Sequence, residues 1–296
     1  MAKGDRIVLH RGYGPVTPGG TARHRAGQRW RLASITKQVT AALAMQDVAK
    51  GRLTLDTPVE FVGNSAWSVT PRQLLTHHSG LANPDATPAA NAGGVPGFYT
   101  RPMPEIAYCT SLPSKAAAFS YNNCDYVLLG VAIDRLAAPL ARRWPAGFAM
   151  AQRGERGVPG FVGGKPEPAF ELASWGAAGG LIGTARSVFA FDRALMTGKF
   201  LSATARAELW KPEGGGSYQA LGQWVFPGKL KGCAAPKRIV QRDGEIYGVQ
   251  ARNFIFPDDD LVVIVFTNRG SDDFKLGEVW EGQGFTYDLL SAAACP

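Results

Sequence analysis

The chain has 296 residues, of which 45% are hydrophobic and 19% charged, enough apolar side chains for one large domain or two smaller ones. No apolar run reaches the roughly 18 residues of a membrane span. The formal net charge is +8, but the densest basic cluster, residues 23–31, contains no nucleic-acid motif, so we predict a solvated loop and no nucleic-acid partner.

In chain order, the residue pattern predicts the following elements: a strand over 6–13, helices over 35–50 and 71–76, a long surface loop over 83–105, a helix over 124–136, irregular chain over 145–168, helices over 185–196 and 203–210, strands over 218–225, 239–242, 249–256 and 261–267, and a helix over 285–294. This order predicts an α/β (α+β) fold, in which an antiparallel sheet is flanked by helices. We place the sheet domain at 1–62 plus 165–296, and an inserted, mainly helical lobe at 63–164.

Four cysteines show no Cys-x-x-Cys spacing and no neighbouring histidine pair, so we predict no metal site. We favour the pairs Cys109–Cys124 and Cys233–Cys295, because the first closes a short loop around Tyr121 and the second fixes the C-terminal helix. The alternative is four buried free thiols. Disulfides would imply an oxidising compartment, periplasmic or secreted, and a signal removed before residue 1; otherwise the protein is cytoplasmic.

The first group of reactive side chains is Ser34-Ile35-Thr36-Lys37, at the beginning of the helix predicted over 35–50. A serine hydroxyl is a poor nucleophile until a base removes its proton. Residues three apart share a helix face, so the Lys37 amine can reach the Ser34 hydroxyl. Burial would lower the pKa of Lys37 and make it a usable base. Such a short motif also arises by chance, and its position at a helix start is what favours catalysis.

The second group is Tyr121-Asn122-Asn123, directly before the helix predicted over 124–136. A tyrosine transfers protons when a neighbouring cation stabilises its phenolate. Asn123 could hydrogen-bond a substrate carbonyl or hold Lys37. The alternative is a turn asparagine that caps the helix beside a core tyrosine.

The third group is Arg242-Asp243-Gly244, between two β-rich runs. A cation followed by a glycine on an edge strand suits a substrate anion that approaches the backbone closely. The Arg242 fork could bind a carboxylate bidentately, although Asp243 could neutralise its charge. The alternative is an ordinary charged turn.

Together these motifs resemble the serine β-lactamase family, which includes penicillin-binding D-alanyl-D-alanine peptidases, class C β-lactamases and related esterases. The family has three elements, Ser-x-x-Lys, Tyr-x-Asn and Lys/His-x-Gly. The first two match here as Ser34/Lys37 and Tyr121/Asn123, while Arg242 stands where the family usually has Lys or His. The resemblance also implies a helix and a strand before residue 1, so either a terminal segment precedes this chain or the sheet has one strand fewer.

The resemblance implies acyl transfer without a cofactor. Lys37 and Tyr121 would deprotonate Ser34, which would form an acyl-enzyme with a small-molecule or peptide substrate, an ester, amide or β-lactam. The backbone N–H groups of Ser34 and Glu245 would form the oxyanion hole, with Asn123, Arg242 and Gly244 on the substrate side. The alternatives are a D-alanyl-D-alanine peptidase and a non-catalytic binding or sensor protein on the same fold.

Other catalytic systems fit the sequence less well. No Gly-x-Ser-x-Gly motif occurs, which argues against an α/β-hydrolase. His77 and His78 are adjacent, a spacing that suits neither a helical metal site nor a known triad. We expect them at the end of a helix packed under the site.

Overall fold

The computed structural model describes residues 1–59, 69–112, 118–136 and 138–295. The strands are β1 Ala2–Lys3, β2 Arg6–Ile7, β3 Trp30–Arg31, β4 Ala149–Met150, β5 Phe161–Val162, β6 Lys165–Pro166, β7 Leu181–Gly183, β8 Gln219–Ala220, β9 Gln223–Gly228, β10 Lys237–Ile246, β11 Val249–Phe256 and β12 Leu261–Thr267. The helices are α1 Ile35–Ala49, α2 Pro71–Leu75, α3 Ile106–Cys109, α4 Asn123–Leu136, α5 Gly176–Gly179, α6 Ala185–Met196, α7 Ala203–Leu209 and α8 Phe285–Ala294.

The main sheet has the strand order β2-β1-β12-β11-β10-β9-β8, and every neighbouring pair is antiparallel. Alternate residues of β10 face opposite sides. Val240 packs in the core that contains Leu43 of α1, whereas Ile239 packs in the core that contains Leu290 of α8. The sheet therefore lies between helices on both faces, and the predicted antiparallel sheet flanked by helices is confirmed.

The central helix α1 is more deeply buried than its sequence pattern predicts. An apolar stripe indicates an amphipathic helix, but every residue from Ile35 to Met45 is buried. The helix contacts α4, α5 and α7 as well as β10 and β11, so helices cover the sides that the sheet leaves open. A polar side chain on this helix, such as Lys37, is consequently held away from water.

Several local predictions differ from the structure. The strand predicted over 6–13 is only Arg6–Ile7, because its partner β1 is two residues long. The strand predicted over 218–225 is broken between β8 and β9, where Gly222 has a φ of +80°. A Cβ at Gly222 would lie 2.7 Å from Ala41 Cβ, so this glycine permits the close approach of the turn to α1.

The loop predicted over 83–105 is not only a surface loop. Its side chains Val95, Phe98 and Tyr99 are buried, and Gly97–Thr100 form a short 3-10 helix. The three-stranded sheet β3-β7-β4 was not predicted either. The division into 1–62 plus 165–296 and 63–164 stays a prediction. Residues 60–68, 113–117, 137 and 296 of this division lie outside the described residues, and β4 and β5 fall within the range assigned to the lobe.

Both favoured cysteine pairs are disulfides in the structure, Cys109–Cys124 and Cys233–Cys295. The first joins the end of α3 to the second residue of α4, and the second fixes the residue after α8. Within the described ranges, none of the helices has the length and apolar character needed to cross a bilayer.

One edge of β10 is open. Its pairing with β9 ends at Gln241 and Trp224, while β10 itself continues to Ile246. On the other side, the pairing of β10 with β11 continues to the end of the strand. The segment from Arg242 to Ile246 is therefore bordered by a strand on one side only, among the residues described.

Candidate active site

Ser34 directly precedes α1 and is partly exposed. The residue before it, Ala33, is fully buried and has a φ of +47°, a conformation that non-glycine residues rarely adopt. Gly244 of β10 lies against this turn: a Cβ there would collide with the Leu32 carbonyl oxygen and lie 3.1 Å from the Ser34 amide nitrogen. The absence of a side chain at Gly244 thus lets the strand support the backbone of Ser34.

The Lys37 side chain is fully buried, and its Nζ lies 3.1 Å from Ser34 Oγ. It donates to Asn123 Oδ1 at 2.7 Å and to the Ala178 carbonyl oxygen at 2.8 Å. Both of these oxygens only accept hydrogen bonds. In a neutral amine, the two hydrogens therefore go to Asn123 and Ala178, and the lone pair points at the Ser34 hydroxyl.

The electrostatic environment prepares Lys37 for this role. Burial, with a smaller contribution from the positive charge of Arg242, lowers the pKa of Lys37 to about 8. A substantial fraction of the lysine is then neutral at mildly alkaline pH, as a general base requires.

Tyr121 Oη lies 2.6 Å from Ser34 Oγ, although the two residues come from separate segments of the chain. Burial raises the pKa of the Tyr121 phenol, but the charges of Lys37 and Arg242 and the hydrogen bonds outweigh it and hold the pKa below its usual value. The Lys37 Nζ is 4.8 Å from the centre of the Tyr121 ring. Ser34, Lys37 and Tyr121 thus form one contiguous cluster.

Asn123 contacts Lys37, the second of the two roles considered for it, and it also lines the cleft. Its Nδ2 donates to Tyr99 Oη at 2.8 Å. The helix-capping contact belongs instead to Asn122, whose Oδ1 accepts from the Cys124 amide at 2.9 Å. The capping interpretation therefore applies to the middle residue of the motif, and Asn123 is left to hold the lysine.

His77 lies after α2 and under Tyr121, with their ring centres 4.5 Å apart. It is buried, and its Nδ1 is 2.8 Å from Asp125 Oδ2. Ser79 donates to the same carboxyl group. Burial lowers the pKa of His77 and raises that of Asp125, so in each group it disfavours the charged form. This buried layer supports the site from below.

Arg242 is buried and its donors are partly committed inside the protein. Nε donates to the Ser34 carbonyl oxygen at 2.9 Å and Nη2 to Tyr121 Oη at 3.0 Å, while the guanidinium lies 4.9 Å from the centre of the Trp224 ring. Nη1 has no hydrogen-bond partner among the described residues. One buried donor group therefore has no partner in the protein, and the bidentate binding of a carboxylate by Arg242 stays a prediction.

Among the described residues, Asp243 forms its ion pair with Arg252 and not with Arg242. Its carboxylate accepts from Gln241 Nε2 and lies 3.4 Å from Arg252 Nε. Nearby, burial and the charge of Asp243 raise the pKa of Glu278 to about 7. Burial raises the pKa of Asp243 as well, and the ion-pair partner of both carboxylates is Arg252.

These groups surround a cleft of about 440 Å³. Ser34, Tyr121, Asn123 and Arg242 line it, as does the exposed Glu245, which follows Gly244. The structure thus brings all the predicted site residues into one region, with Lys37 beneath Ser34.

The sequence motifs missed other parts of the cleft lining. These residues are Asp85, Tyr99, Trp175, Trp224, Tyr247, Arg252 and Glu278. Tyr99 and Trp175 stack with ring centres 3.8 Å apart and form an aromatic wall. None of these residues belongs to a recognisable motif, and the Gly- and Pro-rich composition around Tyr99 indicated only a surface loop.

Comparison with solved structures shows the same fold at low identity. The D-amino acid amidase of Ochrobactrum anthropi SV3 complexed with D-phenylalanine gives a TM-score of 0.73 at 18% identity, over 95% of this chain and 88% of that one. A penicillin binding protein from Bacillus halodurans gives 0.72 at 20% identity, over 93% and 91%. A D-stereospecific amidohydrolase from Streptomyces sp. gives 0.67 at 22% identity, over 88% of each chain.

A family model described as Beta-lactamase matches residues 1–281, which is nearly the whole chain. This match and the fold agree with the resemblance of the three sequence motifs. The protein belongs to the beta-lactamase family.

Proposed function

We propose that the protein is a serine acyl hydrolase that forms a covalent acyl-enzyme on Ser34. The observation that carries this proposal is the position of Ser34 Oγ, 3.1 Å from Lys37 Nζ and 2.6 Å from Tyr121 Oη at the floor of a cleft. A serine that contacts a buried lysine and a phenol of lowered pKa has the groups that nucleophilic catalysis needs.

In the proposed reaction, the Lys37–Tyr121 pair takes the Ser34 proton while Oγ attacks the substrate carbonyl carbon. The bond from that carbon to the leaving group then breaks, and the pair returns the proton to the leaving group. Water, deprotonated by the same pair, then attacks the acyl carbon; the bond from that carbon to Ser34 Oγ breaks, the acid leaves, and the pair returns the proton to Oγ. The two groups titrate as a coupled pair, so the proton is assigned to the pair and not to one member.

The oxyanion of the tetrahedral intermediate would be held by the backbone N–H groups of Ser34 and Glu245. The close contact between Gly244 and the Ser34 amide supports this proposal, because it brings the two backbone segments together. The hydrogen bond from Arg242 to the Ser34 carbonyl further fixes this segment.

For the acyl donor we favour an amide or peptide carbonyl with a substrate oxygen near Arg242 Nη1. The unpartnered, buried Nη1 supports this choice, since an unsatisfied buried donor costs about 1–3 kcal/mol until an acceptor arrives. Two of the similar structures are those of a D-stereospecific amidohydrolase and a D-amino acid amidase. Hydrolysis of esters and of β-lactams belongs to the same proposed chemistry.

We also propose an oxidising compartment, periplasmic or secreted. The two disulfides support this location, because such bonds persist mainly where thiols are not kept reduced.

The test is covalent labelling of Ser34. Wild type, Ser34→Ala and the control Ser202→Ala, which removes a hydroxyl that caps α7 outside the cleft lining, are treated with a fluorophosphonate and with benzylpenicillin. Intact mass should show one adduct on wild type and on Ser202→Ala, and none on Ser34→Ala. Turnover of p-nitrophenyl acetate, a D-amino acid amide and benzylpenicillin is measured in parallel. A folded wild type with neither adduct nor turnover would be a binding protein on this fold.

A further inference from the structure

A chain of hydrogen bonds leads from the buried Lys37 to the carboxylate of Asp85 at the cleft. Lys37 donates to Asn123 Oδ1 at 2.7 Å, Asn123 Nδ2 donates to Tyr99 Oη at 2.8 Å, and Tyr99 Oη donates to Asp85 Oδ1 at 2.6 Å. Asp85 and Tyr99 belong to none of the three motifs and have no part in the reaction described above.

The chemistry of the last member fixes the direction of every bond in the chain. An ionised carboxylate only accepts hydrogen bonds, so the single hydrogen of the Tyr99 hydroxyl goes to Asp85. The hydroxyl oxygen is then left as an acceptor toward Asn123. The amide of Asn123 must therefore present its NH₂ to Tyr99 and its oxygen to Lys37.

The surroundings of Tyr99 reinforce this order. The ring is buried and stacks on Trp175 at 3.8 Å between ring centres, which restricts its rotation. Burial, followed by the charge of Asp85, raises the pKa of Tyr99, so the Tyr99 hydroxyl stays protonated at neutral and mildly alkaline pH. Asp85 itself is held by its backbone, whose amide donates to Asn83 Oδ1 at 3.0 Å.

The orientation of Asn123 decides which part of Lys37 faces the nucleophile. With the Asn123 oxygen and the Ala178 carbonyl taking the two hydrogens of the neutral amine, the lone pair points at Ser34. A reversed amide would place its own hydrogens against Lys37 and turn the lone pair toward Asn123. Loss of the carboxylate end would permit that reversal.

We propose that Asp85 and Tyr99 are positioning residues that, through Asn123, hold the lone pair of Lys37 on the Ser34 hydroxyl. The inference rests on the proposed acyl-enzyme chemistry and adds two residues to its machinery. Asp85 also contributes a negative charge that favours the protonated lysine. The other groups that face Lys37 among the described residues are Tyr121, Arg242, the Tyr126 ring at 5.5 Å, and His77 and Asp125 below.

The variants that test the inference are Asp85→Asn, Tyr99→Phe and the double variant. Tyr108→Phe is the matched control, because its hydroxyl bonds the Asn83 carbonyl at 2.9 Å in the same region but does not reach Asn123. The first readout is the rate of fluorophosphonate labelling of Ser34 between pH 5 and about 10, a span that covers the titration of the lysine. The second is the pKa of Lys37 from NMR of ¹³C-labelled lysine, assigned with Lys37→Met.

We expect Asp85→Asn and Tyr99→Phe each to lower the labelling rate at its high-pH plateau by about tenfold, the loss typical of one well-placed hydrogen bond. The double variant should lose little more, since both changes break the same chain. In Asp85→Asn, the midpoint of the pH profile and the pKa of Lys37 should both fall, by about half a unit, because a negative charge is removed. Tyr108→Phe should match wild type.

An unchanged plateau and an unchanged Lys37 pKa in Asp85→Asn would overturn the inference, as would an equal loss in Tyr108→Phe. Asp85 is exposed and the asparagine is nearly isosteric, so this variant decides the matter even if Tyr99→Phe folds poorly. If wild type is not labelled at all, the proposed function fails, and the NMR titration still tests whether Asp85 and Tyr99 position the lysine.

Discussion

Arg242 contributes to the site in two ways at the scale of single residues. Inside the protein it donates hydrogen bonds to the Ser34 carbonyl oxygen and to Tyr121 Oη, and its charge helps to lower the pKa of the Tyr121 phenol. Arg242 also lines the cleft and keeps one buried donor, Nη1, without a partner among the described residues. These two contributions are separable because only the second depends on the substrate.

We predict that Arg242→Ala lowers kcat/KM for neutral p-nitrophenyl acetate by about tenfold or more, through loss of the internal contacts. For an acyl donor that carries a carboxylate near the carbonyl, the loss should be about a further tenfold, the worth of a charge-assisted hydrogen bond. The ratio of the two losses, from steady-state kinetics at one pH, is the measurement. Equal losses for both substrates would show that Arg242 does not bind the carboxylate.

At this scale the sequence revealed the residues whose relation is local. Ser34 and Lys37 are three residues apart at the start of a helix, and Tyr121 and Asn123 are two apart beside another helix start, so spacing and position together were informative. Arg242 contacts Ser34 across 208 positions of sequence, and the commitment of its donors could not be read from its neighbours.

The beginning of α4 is the element whose placement matters most for the site, because it carries Asn123. The Cys109–Cys124 disulfide ties its second residue to the end of α3. The Cys233–Cys295 disulfide instead holds the chain after α8, and neither of its cysteines lines the cleft. The two bonds should therefore differ in their effect on activity.

We predict that replacing both members of either pair by alanine lowers the free energy of unfolding by about 2–5 kcal/mol. Only the Cys109/Cys124 variant should also slow Ser34 labelling by several fold, since it alone loosens the segment that positions Asn123. Urea denaturation and labelling kinetics of the two variants, compared side by side, check this. Similar labelling rates in both would contradict a positioning role for the first disulfide.

Long elements with strong periodicity were predicted well, and short ones were not. The helices at Ile35–Ala49 and Ala185–Met196 and the strands at Val249–Phe256 and Leu261–Thr267 carry enough residues for their pattern to emerge. The strands of the β3-β7-β4 sheet have two or three residues each, and long-range pairing defines them, not local composition. The buried side chains of the 83–105 loop depend in the same way on contacts far along the chain.

At the scale of the whole molecule, the ion pair of Arg31 and Glu167 connects distant parts of the chain. Arg31 is fully buried and Glu167 nearly so. Glu167 also accepts from the amides of Gly160 at 3.3 Å and Gly248 at 3.2 Å, and Arg31 donates to the Ile246 carbonyl at 3.2 Å. This single pair joins β3, the end of β10 and the β5–β6 hairpin, which Glu167 directly follows and Gly160 directly precedes.

We predict that Glu167→Gln lowers the free energy of unfolding by about 3–5 kcal/mol, because it leaves the Arg31 charge buried without a counter-ion. The matched control is Asp258→Asn, which breaks the exposed pair with Arg238 and should cost less than about 1 kcal/mol. Urea denaturation of both variants measures the difference. A Glu167→Gln protein as stable as Asp258→Asn would show that the buried pair is not the connection we infer.

The open edge of β10 has a consequence for the shape of substrate that we expect under the proposed function. From Arg242 to Ile246 this edge is about 16 Å long at the usual rise per residue. A linear, flexible acyl donor can lie along it as an additional strand, with successive substituents pointing alternately to the two walls of the cleft. A rigid ring system, such as that of a β-lactam, can occupy only part of this edge. We therefore expect catalytic efficiency to grow with the length of an unbranched substrate for a few residues and then to level off where the edge ends.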